Sequence, residues 1–410
     1  MEIKQTCLTA DHSQADLRVH VIQNGARHGY SIPLALHRKG ALAGVYTDLI
    51  SSSRTGSLLK WIAPTGSNLE KMLKRRTPPP ELLSQFTDFG IVHLAKRTLD
   101  QTLAANAAGW IEKSVTERLM MLYGTGSATH VYPMFGEGGS FIKSAKARGL
   151  GIIGDVYIAI SADQIVAEEA ARHPDWADEV PAVTSLEERL ERNRVLLAES
   201  DLLVCPSRFV HDDLVAHGID AARLMVAPYG VSSNWVSLDT RPEPGRILFA
   251  GSATLRKGIH VLAAAAKLVE GRCRIRVAGS VSKKVRKHPG ASALTFLGHL
   301  GPDEMAEEFA RADVFAFPSL AEGSAGVTGE ALGAGVPVVT TAEAGSIVRD
   351  GIDGHIVPSR DPQRLAEAII SIVEDREKRQ KMSRAARLRA QAYNWERYVQ
   401  SVLDAIVGQK

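Results

Sequence analysis

Two carboxylates, Glu322 and Glu330, stand eight residues apart with a run of mostly small residues between them. An apolar segment, Asp313–Phe317, precedes this tract and a second one, Val336–Thr340, follows it. The order is typical of a strand, a glycine-rich turn, a helix and another strand. Such a turn exposes backbone N–H groups at a helix N-terminus, which favours an anion. With a carboxylate on each side, the tract suits a ligand that is part anionic and part polyhydroxylated, such as a nucleotide-sugar.

Two cations stand beside another glycine turn. The apolar run Arg246–Ala250 leads into that turn and then into a predicted helix, Ile259–Leu268, with Arg256 and Lys257 where the helix begins. Cations are unfavourable near the positive end of a helix dipole, and an anionic ligand would relieve the conflict. The alternative is a pair of solvated surface cations. The turn is not a P-loop, because the lysine precedes Gly258 instead of following the glycines.

The N-terminal part opens in a parallel manner. A predicted strand, Leu17–Gln23, leads to a loop with Gly25 and Gly29 and then to a helix from Tyr30. A dinucleotide-binding fingerprint needs three glycines, and this loop has two. Asp48 lies near the distance expected for a ribose-binding acid, so an NAD-dependent oxidoreductase stays open as an alternative.

Length and composition indicate an ordinary globular protein of two domains. The chain has 410 residues, 45% hydrophobic and 23% charged, with a formal net charge of +3. This length suits two domains of roughly 200 residues each. The charge is too small to indicate a nucleic-acid partner and is compatible with a polyanionic small ligand.

The cysteines and the apolar runs of the sequence indicate in which cellular compartment the protein is expected. Cys7, Cys205 and Cys273 are widely spaced and form neither a metal-ligand pattern nor a disulfide framework, so a cytoplasmic location is expected. The first residues lack an apolar signal-peptide core, and no apolar run reaches the roughly 18 residues of a membrane span. Any membrane association is therefore expected to be peripheral, at the inner face.

Short β-rich runs alternate with helical patterns along most of the chain, which predicts an α/β protein with parallel sheets wound by helices on both faces. The pattern restarts after Val231–Gly245, which we interpret as the interdomain linker. Ligands of such sheets bind beyond the carboxyl ends of the strands. The predicted strands are Leu17–Gln23, Gly44–Asp48, Thr129–Met134, Gly151–Ile158, Leu202–Cys205, Leu224–Ala227, Arg246–Ala250, Cys273–Ala278, Leu294–Leu297, Asp313–Phe317, Val336–Thr340 and His355–Val357.

The segment Ser51–Asp88 is the least regular. It contains an apolar run around Trp61 and a basic end, Lys74–Arg76, followed by prolines. It predicts either a surface insertion with a solvated basic end or a basic, aromatic surface that contacts anionic lipid or an acidic acceptor.

Taken together, these residues resemble the retaining glycosyltransferases of family 4, the glycosyl transferases group 1. The resemblance covers about Arg246–Ile372 and rests on the turn with Arg256-Lys257-Gly258, the two-glutamate tract, Phe296–His299 and Asp350–Pro358. It implies the GT-B fold, two Rossmann-like doubly wound domains facing across a cleft. We expect an N-terminal acceptor-side domain, residues 1–235 with a crossing helix 393–410, and a C-terminal nucleotide-sugar-binding domain, residues 236–392.

The resemblance also implies roles by position. Glu322 would bind hydroxyls of the donor sugar, Glu330 the ribose hydroxyls, and Lys257 with Arg256 would neutralise the departing diphosphate. These three, Glu322, Lys257 and Arg256, are the expected catalytic residues. The other expected donor-binding residues are Gly323, Ser324, Ala325, Gly326, Val327, Gly251, Ser252, Leu297, His299 and Gly25.

The chain departs from the family pattern at two positions. Ser252 stands where the family commonly has an arginine, and Arg256 would supply that charge. The family often has a histidine after the strand predicted at Gly151–Ile158, where this chain has none. Either Asp155 or Tyr157 would take its place, or the role is absent from this chain.

The implied activity is hexosyl transfer (EC 2.4) with retention, from a UDP- or GDP-linked sugar to a glycan, lipid-linked or small-molecule acceptor. We expect no cofactor and no metal, because the two cations stabilise the leaving group and no His/Asp/Glu group shows ligand spacing. A non-catalytic GT-B partner subunit is the other alternative beside the oxidoreductase.

Overall fold

Two parallel β-sheets organise the chain. The computed structural model describes residues 16–48, 50–65, 70, 73, 77–90, 105–177 and 186–408. The strands are β1 (Val19–Ile22), β2 (Leu42–Thr47), β3 (Phe86–Asp88), β4 (His130–Pro133), β5 (Gly151–Asp155), β6 (Leu202–Cys205), β7 (Leu224–Val226), β8 (Arg246–Ala250), β9 (Arg274–Ala278), β10 (Leu294–Gly298), β11 (Val314–Phe317), β12 (Val338–Thr340) and β13 (Gly354–Ile356). One sheet has the order β3-β2-β1-β4-β5-β6-β7 and the other β10-β9-β8-β11-β12-β13.

Helices connect most successive strands, because parallel neighbours need a crossover connection that returns the chain to the same end of the sheet. The described α-helices are α1 (Ser31–Arg38), α2 (Arg54–Ile62), α3 (Ala105–Tyr123), α4 (Gly139–Ala147), α5 (Ala162–Arg172), α6 (Leu186–Glu199), α7 (Arg208–Ala216), α8 (Ser233–Val236), α9 (Ile259–Leu268), α10 (Lys283–Lys287), α11 (Pro302–Arg311), α12 (Gly326–Gly333), α13 (Pro362–Val373), α14 (Arg376–Gln391) and α15 (Trp395–Gly408).

The centre of the second sheet is buried on both faces. Every residue of β8 and β11 is buried, as expected for parallel strands that read as continuous apolar runs. The two strands pair in parallel, and the rings of Phe249 and Phe317 stack at 5.5 Å between centroids. Because parallel neighbours end at one edge, the loops that follow β8 and β11 begin side by side there.

A buried ion-pair cluster supports the opposite end of β11. The carboxylate of Asp313 is fully buried and lies 2.7 Å from Arg376 Nη1 and 3.2 Å from Arg379 Nε. It also accepts a hydrogen bond from the backbone N–H of Gly245 at 2.9 Å. Three donors compensate the desolvation of this carboxylate, so the removal of Asp313 would deprive the buried guanidinium of Arg379 of its ionic partner.

The predicted parallel α/β organisation is confirmed, with differences at several ends. The short strand β3 was not predicted; Phe86 pairs with Val45 within the segment that looked irregular. The strand predicted at Gly151–Ile158 ends at Asp155, since its ladder to β4 covers only two residues. Helix α1 begins at Ser31, because Tyr30 has a left-handed conformation with φ 63°.

The chain forms two compact units. The first comprises residues 1–154, 195–202 and 399–410, and the second residues 155–194 and 203–398. The segment predicted as a linker, Val231–Gly245, lies in the second unit, where the ring of Trp235 packs edge-on against Phe309. This division differs from the domain boundaries inferred above, which stay a prediction.

Helix α2 carries an exposed apolar surface in the first unit. Leu58, Trp61 and Ile62 are 60%, 84% and 56% exposed. The basic end at 74–76 lies outside the described residues, so contact with an anionic surface stays a prediction. Among the described helices, none has the length and apolar character that crossing a membrane would require.

Candidate functional site

The loop after β8 carries the two predicted cations. Leu255–Lys257 forms a single 3₁₀ turn, and Gly258 then starts α9 in a left-handed conformation with φ 70°. A Cβ at Gly258 would lie 1.9 Å from the carbonyl oxygen of Pro318, so only glycine lets this loop approach the one after β11. This turn fixes where the side chains of Arg256 and Lys257 begin.

Backbone hydrogen bonds join the two loops. The N–H of Leu320 donates to the carbonyl oxygen of Arg256 at 2.8 Å, and the hydroxyl of Ser319 donates to the same oxygen at 3.0 Å. The guanidinium of Arg256 donates to the carbonyl oxygen of Ala321 at 3.2 Å. The first cation is thus anchored to the chain that leads into the glutamate tract.

Glu322 lies between both cations. Its Oε1 is 2.8 Å from Arg256 Nη1 and 2.9 Å from Lys257 Nζ. Both contacts are ion pairs, and among the described residues Oε1 is buried between the two charges. The carboxylate is held in place by charge and keeps its capacity to accept a hydroxyl proton.

The ammonium of Lys257 is placed over an aromatic ring. Its Nζ lies 4.8 Å from the ring centroid of Phe317, and the stem passes Gly251, where a Cβ would lie 3.2 Å from Lys257 Cδ. Burial lowers the pKa of Lys257, and the charge of Glu322 opposes that effect. A buried ammonium of this kind is stabilised by any further negative charge that binds beside it.

The second glutamate lies in helix α12. Burial raises the pKa of Glu330, and no charged or hydrogen-bonding side chain contributes to that shift. The helix starts after Ala325 without a side-chain cap, and a Cβ at Gly326 would meet no atom within 4 Å. The described structure therefore offers an uncapped helix N-terminus and a desolvated carboxylate, which suit a phosphate and a hydroxyl group.

Between them, Gly323 contacts another part of the second unit. A Cβ at this position would lie 1.6 Å from the carbonyl oxygen of Tyr157 and 3.0 Å from the N of Ile158. Glycine is thus required because a neighbouring backbone, which follows β5, occupies the space of a side chain. This contact also brings the place of the absent family histidine, near Tyr157, next to the tract.

Asp155, the other residue at that place, is engaged in the structure. It is fully buried, and its carboxylate accepts a hydrogen bond from the hydroxyl of Tyr229 at 2.6 Å. Such a buried carboxylate holds the surrounding elements together. The carboxylate of Asp155 is thus engaged with Tyr229, and the replacement of the histidine by Asp155 or Tyr157 stays a prediction.

The remaining predicted residues occupy several places. Ser252 is exposed and accepts a hydrogen bond from Ser280 at 2.9 Å; Leu297 is half-buried and His299 exposed at the end of β10. Gly25 lies in the first unit, with φ 76°, and its N–H donates to Asp48 Oδ1 at 3.1 Å. Asp48, the acid on which the oxidoreductase alternative rested, therefore accepts a hydrogen bond from the glycine loop that follows β1.

Sequence reasoning missed one cluster. Glu169, His173 and His260 place one ligand atom each within 4.8 Å of one another, which corrects the expectation that no group has metal-ligand spacing. The signal was available in part, since Glu169 and His173 are four residues apart, one turn of α5. His260 is 91 residues from Glu169, and only packing of α9 brings it there. Burial lowers the pKa of His260 to about 4, so its imidazole is neutral at neutral pH.

Comparison with known families and sequences places the second half of the chain. Residues 244–375 match the model of the family described as "Glycosyl transferases group 1". This part of the chain is similar to that family, and the match covers less than half of the chain. The predicted resemblance is therefore confirmed for the residues that carry the two cations and both glutamates.

Relatives by sequence are glycosyltransferases. A glycogen synthase of Mycobacterium tuberculosis is 30% identical over 253 residues, 57% of this chain and 59% of the relative. A D-inositol 3-phosphate glycosyltransferase of Geodermatophilus obscurus is 32% identical over 241 residues, 51% of this chain and 53% of the relative. The chain thus spans little more than half the length of these relatives.

Solved structures show the fold. Anabaena Alr3699/HepE in complex with UDP-glucose superposes with a TM-score of 0.64 at 14% identity, over 96% of this chain and 100% of that chain. WaaG, a glycosyltransferase involved in lipopolysaccharide biosynthesis, gives a TM-score of 0.59 at 16% identity, over 95% and 100%. The fold of this chain is GT-B, as predicted.

Proposed function

We propose that the chain transfers a sugar, with retention of anomeric configuration, from a nucleoside-diphosphate sugar to a glycan, lipid-linked or small-molecule acceptor. The observation that carries this proposal is Glu322 held between Arg256 and Lys257, eight residues before Glu330, whose carboxylate is buried with no ion pair among the described residues. The similarity of residues 244–375 to the group 1 glycosyl transferases supports the same reaction class.

Charge supports a diphosphate ligand. Arg256, Lys257 and Glu322 together carry one net positive charge, and the uncapped start of α12 adds partial positive charge. As the bond to the diphosphate breaks, negative charge grows on its oxygens. Cations already in place stabilise that charge without reorganisation, which is the largest expected contribution to the rate.

The carboxylates of Glu322 and Glu330 can accept hydrogen bonds from hydroxyl groups, as a sugar and a ribose would provide. Glu322 Oε1 forms ion pairs with both cations, and the ionised carboxylate can accept a hydrogen bond from a hydroxyl of the donor sugar. Glu330, whose pKa is raised by burial, gains from hydroxyl donors that stabilise its charge. We assign the sugar to Glu322 and the ribose to Glu330.

Transfer with retention places no demand for a separate base on the chain. The leaving phosphate, held by Lys257, takes the proton of the attacking hydroxyl, and the bond to the acceptor forms on the face that the diphosphate leaves. Arg256 and Lys257 provide the charge compensation that a metal ion gives in other transferases. We therefore propose a metal-independent reaction.

The names of similar proteins suggest classes of donor and acceptor. The Anabaena protein is described in complex with UDP and glucose, which supports a UDP-linked sugar as the first donor to test. The relatives named glycogen synthase and D-inositol 3-phosphate glycosyltransferase support a glycan or a phosphorylated small molecule as acceptor. The exposed apolar face of α2 supports peripheral membrane contact when the acceptor is lipid-linked.

The deciding experiment measures nucleotide release from UDP-, GDP- and ADP-linked sugars by the purified chain, with water or a panel of acceptors. We expect one donor to be used, with an α-linked donor giving an α-linked product by NMR, and activity that persists in excess EDTA. Glu322→Ala is expected to lower the rate about 10²-fold, and Glu322→Gln to recover part of it.

Four results would contradict parts of this proposal. Inverted product would exclude retention, and loss of activity in EDTA that a metal restores would exclude the metal-free reaction. No release from any donor, although UDP or GDP raises the unfolding temperature, would favour a non-catalytic subunit. A thermal shift with NADH and none with nucleotide diphosphates would favour the oxidoreductase.

A further inference from the structure

A pocket in the second unit lies among residues with no place in the proposed transfer reaction. Its volume is about 480 Å³, and none of the predicted donor-binding residues lines it. Its wall is histidine-rich, formed by residues of α5, α9 and the loop after α10, among them His173, His260, His288 and Trp176. The pocket therefore needs an explanation of its own.

Three side chains at its wall converge on one point. Glu169 Oε1 lies 2.8 Å from His260 Nε2 and 3.7 Å from His173 Nε2. A tetrahedral ion about 2 Å from each ligand holds its ligand atoms about 3.3 Å apart. The two separations from Glu169 Oε1 lie on either side of that value, and all three ligand atoms lie within 4.8 Å of one another. Side-chain rotations that draw the imidazoles together would bring the three atoms to coordination distance.

The residue types also suit such an ion. Two imidazoles and one carboxylate form a His₂Glu set, which binds zinc and leaves a fourth position open for water or another ligand. Glu169 and His173 come from one turn of α5 and its end, while His260 comes from α9. An ion at this point would join two helices of the same unit.

Burial and a second partner fix the carboxylate. The side chain of Glu169 is fully buried, and its other oxygen, Oε2, accepts a hydrogen bond from Arg360 Nε at 2.6 Å. Arg360 holds a left-handed backbone conformation, φ 61°, which a non-glycine residue adopts at a cost. Arg360 thus acts as a positioning residue that leaves Oε1 facing both imidazoles.

Access is available from the pocket side. The side chain of His173 is 41% exposed, while that of His260 is 7% exposed. The pocket borders both imidazoles, so an ion can enter from solvent and keep its fourth ligand in the pocket. We propose that Glu169, His173 and His260 bind a divalent ion of the zinc class, which stabilises the packing of α5 against α9.

The test uses the full chain after removal of metal by chelation and dialysis. Co²⁺ is the probe, because tetrahedral Co²⁺ has intense visible absorption, and Zn²⁺ should displace it. We expect one equivalent of Co²⁺ to bind with tetrahedral-type bands and Zn²⁺ to raise the unfolding temperature of the apo protein. Absence of these bands at saturating Co²⁺ would overturn the proposal.

Variants locate the ion. His173→Ala is the first choice, because this half-exposed side chain can be removed without a buried cavity, and we expect Co²⁺ to bind about 100-fold more weakly. Glu169→Gln keeps the shape of the buried side chain and serves as the second ligand variant. His288→Ala is the matched control, since His288 lines the same pocket and pairs with Asp175 at 2.9 Å outside the trio.

The outcomes are distinct. Binding unchanged in both ligand variants would refute the assignment of the trio, and equal weakening in His288→Ala would place the ion elsewhere on the pocket wall. Transfer activity is not the readout, because the trio lies outside the proposed reacting groups. Failure of this proposal therefore leaves the proposed glycosyl transfer untouched.

Discussion

The substitution Lys257→Met removes one positive charge and keeps an unbranched side chain over the ring of Phe317. In the structure, Lys257 Nζ lies 4.8 Å from that ring centroid and 2.9 Å from Glu322 Oε1. Burial already lowers the pKa of Lys257, so a neutral side chain of similar length should fold at least as well. The loss should therefore appear in the rate and not in the unfolding temperature.

The magnitude follows from the position of the charge. Two unit charges about 4 Å apart interact by roughly 4 kcal/mol at an effective dielectric constant of about 20. Arg256, 2.8 Å from the same Glu322 oxygen, remains in the variant and compensates part of that loss. A net loss of about 3 kcal/mol in transition-state stabilisation corresponds to a rate about 10²-fold lower.

The assay is nucleotide release under saturating donor, compared with Lys381→Ala as the matched control. Lys381 lies in the same unit on α14 and pairs with Glu377 at 2.7 Å on the surface, where such pairs contribute little. The control should keep the full rate. A Lys257→Met rate within threefold of the wild type, with the protein folded, would refute the role of this ammonium in leaving-group stabilisation.

Four further substitutions test the site and the elements that support it. Gly323→Ala places a Cβ 1.6 Å from the carbonyl oxygen of Tyr157, so we expect the unfolding temperature to fall by several degrees. Gly326→Ala is the control, because a Cβ there meets open space and should leave the unfolding temperature nearly unchanged. Equal shifts in both variants would contradict the packing argument. Glu330→Gln should raise the unfolding temperature at pH 7, because burial raises the pKa of Glu330 and makes its charge costly above that pKa. The gain should vanish below pH 4.5, where folded and unfolded carboxyls are both protonated, while nucleotide affinity falls about 10-fold by titration calorimetry. A gain that persists at low pH would show another cause. Asp313→Ala should lower the free energy of unfolding by about 3–5 kcal/mol in urea, because the buried guanidinium of Arg379 loses its ionic partner. A loss below about 1 kcal/mol would show that Arg379 finds other partners or water instead.

The sequence already indicated the parallel architecture and the two loops of the site. Strand Arg246–Ala250 was predicted from its continuous apolar run, which is typical of a strand buried on both faces. Helix Ile259–Leu268 was predicted with the same bounds from its local sequence pattern. The positions of glycines indicated the loops of the site, because glycine is typical of tight turns. The three-residue strand Phe86–Asp88 was not predicted, because it is too short to show an alternating apolar pattern and is defined by its pairing with β2.

Tertiary structure decided which side chains meet. The sequence by itself determined that Glu322 and Glu330 flank a turn, and that Arg256 and Lys257 precede a helix. The ion pairs of Glu322 with both cations are a consequence of two parallel strands ending side by side.

Contacts between segments far apart in the chain had no local signal. The carbonyl of Tyr157 against Gly323, the engagement of Asp155 by Tyr229 and the approach of His260 to Glu169 each join residues more than 70 positions apart. A periodic pattern reports which face of an element is buried, while the identity of the partner depends on how the elements pack. The sequence thus determined the candidate site residues and their loops, and packing alone determined their neighbours.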